Sequence, residues 1–166
     1  MFPGNKGYTL IELVVVIVMI GIVLTFAAPR LNNALLNDPL KSVARKMIGM
    51  IHDLRNEAVR EQQAYTLHLD LNSNKCWTTW ASMTLEEQAL AREQAPSLPR
   101  NVRIRDVWIK GEGKIVEGEA PLLFTPKGYT RMSAVHLRSQ DSREITLELN
   151  PFISKINILD KYVEFD

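Results

Sequence analysis

One cysteine stands in the 166 residues, Cys76, so no disulfide can form within the chain and its stability must come from an apolar core. Charge of one sign is also lacking. Twenty basic residues face 19 acidic ones, interspersed to a net +1, and no global field favours nucleic acid. His52, His68 and His136 are too widely spaced for any pair to act as metal ligands, and they read as ordinary surface or half-buried residues. Gly111-Glu112-Gly113-Lys114 has too short a glycine spacing for a phosphate loop and reads as a turn. Asp141, Glu144 and Asp160 are too scattered for a calcium site. Cys76 has no helix start or basic cluster beside it and reads as a packed structural thiol. Trp77, Trp80 and Trp108 fall in strand-like segments and are expected in the core. No constellation supports catalysis, and no cofactor is implied.

What is present is concentrated at the N-terminus. Residues 13–28 form a run of 16 without charge, in which Thr25 is the only polar side chain. Counted over residues 8–28, the stretch would extend roughly 31 Å as a helix, close to the ~30 Å of a bilayer's hydrocarbon core. A membrane-spanning helix is the direct expectation. A secretory signal peptide with Lys6 as its basic end and cleavage near Thr25-Phe26-Ala27 also fits the run, as does a plain anchor. Neither accounts for Glu12, since a carboxylate in such a helix costs about 2.5–3.5 kcal/mol at the bilayer centre unless it is partnered or lies at the interface.

The order Lys6-Gly7-Tyr8-Thr9-Leu10-Ile11-Glu12-Leu13 resembles the type IV prepilin signature. The resemblance implies that prepilin peptidase cuts between Gly7 and Tyr8, that Tyr8 becomes a methylated N-terminus, and that Glu12 is the glutamate used in assembly. Pro29 lies where such helices carry a kinking proline. Cleavage creates an ammonium at Tyr8, and Glu12 of a neighbouring subunit, or of the same one, can neutralise it. At 4 Å and an effective dielectric of 20, that attraction is about 4 kcal/mol. Charge alone favours the opposite orientation: Lys6 precedes the span, while Arg30, Lys41, Arg45 and Lys46 follow it. The resemblance implies a cytoplasmic leader and an exported domain, and orientation is taken from it.

Beyond Pro29, Leu40, Val43, Met47, Met50, Ile51, Leu54 and Ala58 recur at helical spacing. Arg45, Lys46, Asp53, Arg55, Asn56, Arg60 and Glu61 fill the other faces, expected to be solvated. Pro39 either bends this helix or opens a fresh one capped by Asn37 or Asp38. The period then shifts to two. Tyr65, Leu67, Leu69 and Leu71 mark a strand, Asn72-Ser73-Asn74 a turn, and residues 75–80 its hairpin partner. Thr84 and Glu87 form a capping box for a helix over residues 85–94. Further strands are expected at 102–110, 114–117, 122–125, 132–138, 144–149 and 154–159. The fold class is therefore α+β: a long N-terminal transmembrane or spine helix followed by a mostly antiparallel β-sheet, pilin-like domain. The divisions are a leader at 1–7, a transmembrane helix at 8–29, the second half of the spine at 30–63, and a periplasmic β-rich domain at 64–166.

Leu54-Arg55-Asn56-Glu57-Ala58-Val59, Phe124-Thr125-Pro126-Lys127-Gly128 and the final hairpin over residues 145–158 resemble GspH/FimT-type minor pseudopilins. That resemblance implies a structural subunit of a type II secretion pseudopilus, in the bacterial inner membrane with its C-terminal domain in the periplasm. Its implied partners are other pseudopilins through the N-terminal helix, prepilin peptidase, the inner-membrane assembly platform and lipid, with no nucleic acid. A minor pilin of a type IV pilus would share this N-terminus, and an exported soluble binding protein is the rival from another class. Mass spectrometry of membrane-extracted protein is expected to find a methylated Tyr8 as the first residue. A mature chain starting near Ala28 or Pro29 would overturn the prepilin reading.

Overall fold

The computed structural model describes the backbone of residues 10–36, 38–152 and 155–165, with residues 24–36 described by backbone alone. The chain divides into two compact units, Met1–Asp38 and Pro39–Asp166. In the first unit, helix α1 covers Leu10–Leu36, passes through Pro29 and carries Glu12 in its first turn. Every side chain described on it, over residues 10–23, is exposed.

The membrane-spanning spine helix expected from the sequence is not found. Among the described residues, no helix is long and apolar enough to cross a membrane. The apolar side chains described on α1 extend over residues 10–23. The α+β class itself is found.

The second unit begins with α2, Pro39–Glu61. Proline takes the first position of a fresh helix, where its fixed φ fits and its missing N–H leaves no intrahelical bond unmade. Leu40, Val43, Ala44, Met47, Ile51, Leu54 and Ala58 are buried along one face, at spacings of three and four that bring them into line. Met50, expected on that face, is only partly buried at its margin.

Strand β1, Tyr65–Asp70, buries Tyr65, Leu67 and Leu69 and pairs in register with β2, Lys75–Trp80. The turn between them is held by the Asp70 carboxylate, which accepts from the Asn72 N–H at 2.9 Å and the Ser73 N–H at 3.0 Å. Helix α3, Leu85–Glu93, carries the expected capping box, with the Glu87 N–H donating to Thr84 Oγ1 and the Thr84 N–H to the Glu87 carboxylate. The Thr84 N–H and hydroxyl, both donating to it, hold the Glu87 carboxyl below the usual carboxylate range. No α3 residue is buried.

The remaining strands are β3, Val102–Ile109; β4, Gly113–Ile115; β5, Glu119–Phe124; β6, Ser133–Ser139; β7, Glu144–Leu149; and β8, Asn157–Leu159. Two sheets result, in the orders β2-β1-β5 and β4-β3-β6-β7-β8, and every pairing is antiparallel. Helix α2 packs against β1 and β5 of the first sheet and β3, β6 and β7 of the second. Leu67, Leu69, Leu122, Phe124, Leu137 and Leu147 are among the residues enclosing its buried face. Asn74 ties the sheets together: its amide donates to the Val102 carbonyl at 2.8 Å and accepts from the Ile104 N–H at 3.0 Å. Strand β5 is an edge, and Pro121 sits on it opposite His68.

Where the loop after β5 meets α2, Gly128 has φ +77°, and a Cβ there would lie 2.9 Å from Val59 Cγ2. Gly111 has φ +89° with nothing near a Cβ. Gly111→Ala therefore carries backbone strain alone, whereas Gly128→Ala adds a steric conflict. Urea unfolding of the two variants is expected to show a loss of about 1–3 kcal/mol for each, larger for Gly128→Ala.

Candidate functional site

The sequence places the N-terminal site at Gly7, Tyr8, Glu12 and Pro29. Gly7 and Tyr8 lie outside the described residues. Glu12 is exposed in the first turn of α1, at the end of the helix where the backbone dipole favours a carboxylate. Pro29 lies further along the same helix. From Leu10 at 82% exposed to Val23 at 65%, the described apolar side chains of α1 face outward on all sides. A helix apolar all round is suited to burial against lipid or other helices rather than to water.

In the β domain, the chemical candidates resolve into structural roles. Cys76 is buried in the core, and burial pushes its thiol pKa up, which leaves it a poor nucleophile. Trp77 and Trp108 are buried, as expected, whereas Trp80 stands 36% exposed. His68 stacks on Trp77 with ring centroids 5.2 Å apart, and its ring nitrogens meet the Glu119 carboxylate at 2.5 Å and Thr79 Oγ1 at 2.8 Å. Among the described residues, no group of histidine, cysteine and carboxylate side chains could hold a metal.

Two buried polar residues depart from the expected surface roles. Arg55, read as part of a solvated face of α2, is 7% exposed, and its guanidinium donates to the Asn150 carbonyl at 3.1 Å. Burial lowers its pKa. His136, expected at or near the surface, is 2% exposed. Its Nδ1 lies 2.6 Å from the Asp106 carboxylate, and its Nε2 lies 2.8 Å from the Val163 carbonyl.

A histidine–aspartate pair invites a catalytic reading, but this geometry argues against one. The ring nitrogen that would serve as a base is occupied by a backbone carbonyl. Tyr162 and Phe165 cover the ring, with centroids 4.4 and 6.2 Å away, and Thr146 Oγ1 donates to the Lys161 carbonyl at 2.7 Å. The pair is a latch that holds residues 161–165 across the outer face of the five-stranded sheet. Asp106 can face outward beside Arg105 because a bulge interrupts the β3–β6 register between Ile104 and Asp106. In sequence the latch is nearly invisible, since 30 residues separate its two members. The aromatic Tyr162 and Phe165 in a polar tail were the available signal.

Comparison with known proteins gives this architecture a context. The prokaryotic N-terminal methylation motif matches residues 3–28. Type II secretion system protein H of Pseudomonas aeruginosa is 36% identical over 67 residues, a stretch covering 40% of this chain and 39% of that relative. A crystal structure of the minor pseudopilin EpsH of the Vibrio cholerae type II secretion system superposes with a TM-score of 0.54 at 14% identity, covering 78% of this chain and 99% of that one. A second EpsH structure gives 0.52 at 12% identity, covering 74% and 98%. The N-terminal motif and the fold of the α+β domain are thus matched separately, by different known proteins. The chain is similar to a type II secretion protein H over about two fifths of that relative's length, and it shares the fold of the EpsH structures.

Asp106→Ala removes one member of the buried latch and is expected to destabilise the β domain by about 2–5 kcal/mol. Hydrogen exchange should show protection lost first over residues 161–165. Unchanged exchange there would mean that the tail is held by its aromatic contacts alone.

Proposed function

We propose that the chain is a minor pseudopilin of a type II protein secretion system. In this reading it is a structural subunit, not an enzyme, and it joins other pseudopilins in a periplasmic pseudopilus that drives export of folded proteins. The observation that carries the proposal is the methylation motif at residues 3–28 on a chain whose domain shares the fold of a minor pseudopilin. The short match to a type II secretion protein H supports the same assignment.

Prepilin peptidase would cut between Gly7 and Tyr8, with methylation at Tyr8. The N-terminal segment would attach the subunit at the bacterial inner membrane, with the β domain in the periplasm. There the subunit would meet the assembly platform. The outward-facing apolar side chains of α1 suit packing against the corresponding helices of neighbouring subunits. Such packing also explains a carboxylate at position 12. Glu12 would neutralise the Tyr8 ammonium of an adjacent subunit, which sets the register of one helix against the next. Pro29 would fit the bend such helices need as they pack.

Glu12→Ala spares Gly7 and should leave processing intact. It is nonetheless expected to reduce crosslinking to neighbouring pseudopilins by at least tenfold, because removing one partner of a buried pair costs about 3–5 kcal/mol. Glu12→Gln keeps the shape without the charge and should weaken crosslinking less. The comparison is made at matched membrane levels with secretion assayed in parallel. Wild-type crosslinking and secretion in both variants would remove Glu12 from the assembly contact.

A further inference from the structure

The outer face of the five-stranded sheet is covered along only part of its length. The C-terminal tail lies over His136, Thr146 and, through a Trp108–Phe165 stack at 5.3 Å, over Trp108. Beyond the tail, a cavity of about 530 Å³ opens beside the ends of β3 and β6, and Arg100, Arg103, Arg105 and Arg138 line it.

The arrangement of these arginines is not what stability alone would select. Arg103 and Arg138 are direct cross-strand partners, and like charges so placed destabilise a sheet. Few carboxylates compensate. Glu144 takes Arg105 at 2.5 Å and reaches Arg138 only at 3.7 Å. Asp106 lies 3.5 Å from Arg105 but is committed to His136. Arg100 and Arg103 have no ion pair among the described residues. Leu71, Ile104 and Val116 supply apolar wall to the same cavity, and Val116 is 62% exposed.

We propose that this cavity receives an acidic segment of a partner protein, with a carboxylate held between Arg103 and Arg138 and an adjacent apolar side chain against Leu71 and Val116. Guanidinium groups present a planar fork of donors that matches a carboxylate, and a carboxylate placed there relieves the repulsion between the two strands. A polypeptide suits the site better than nucleic acid does. No aromatic ring lines the cavity for base stacking, and a net charge of +1 supplies no steering field. The inference rests on the surface of the β domain alone and stands or falls separately from the pseudopilus reading.

The test uses the full chain in a neutral detergent. A fluorescent peptide of alternating glutamate and leucine, its glutamine counterpart, a 20-base-pair DNA duplex and inorganic phosphate serve as probes. The glutamate peptide is expected to bind and the glutamine peptide not to. Arg103→Gln and Arg100→Gln should each weaken binding at least tenfold, while Arg60→Gln, outside the cavity, leaves it unchanged. Arg103→Gln should also melt no lower than the parent, because it removes a like-charge pair; this separates a binding role from a structural one. The proposal is overturned if the glutamate peptide fails to bind. Equal losses for Arg60→Gln and Arg103→Gln, or tighter binding of the duplex or of phosphate at the same salt, would also overturn it.

Discussion

Leu40, Val43, Ala44, Met47, Ile51, Leu54 and Ala58 form one stripe on α2, and both sheets close over it. Neither sheet could bury its inner face without that helix: the three-stranded one is small, and the five-stranded one ends in two strands of three residues each. The stripe gives the two a common core, and with no disulfide available this core carries the fold. Arg55 shows how tightly the helix is enclosed. It sits next to Leu54, and its guanidinium is accommodated by a carbonyl of the segment following β7.

The outer face of the larger sheet follows a different physics. There the interactions are polar and are organised by a single bulge in β3, which turns Arg105 and Asp106 to the same side. Asp106 then anchors the tail through His136, and Arg105 lies over the Tyr162 ring at 4.2 Å while bridging to Glu144. One backbone irregularity thus divides the face into a covered, aromatic half and an open, basic half.

Much of this was legible in local pattern. The 3.6-residue period marked the buried face of α2, the alternation after Ala64 marked the β1–β2 hairpin, and Thr84 with Glu87 marked the start of α3. These features depend on residues within a turn or two of each other. The division into two sheets was not legible, because β5 returns to β1 across some 50 residues while β3 and β6 pair elsewhere. Asp106 with His136, and the burial of Arg55, are set by the same distant pairings. At the N-terminus the prepilin-like order was plain, but the membrane span expected over residues 8–29 is not found among the described residues.

Pro121 has a consequence for the open edge of the three-stranded sheet. A strand at the edge of a sheet is a template for growth by strand addition, and crowding multiplies the chances of it. A proline cannot donate to an incoming strand, so β5 interrupts such a ladder midway along its length. This edge of the sheet resists the unregistered stacking of strands that ends in aggregates.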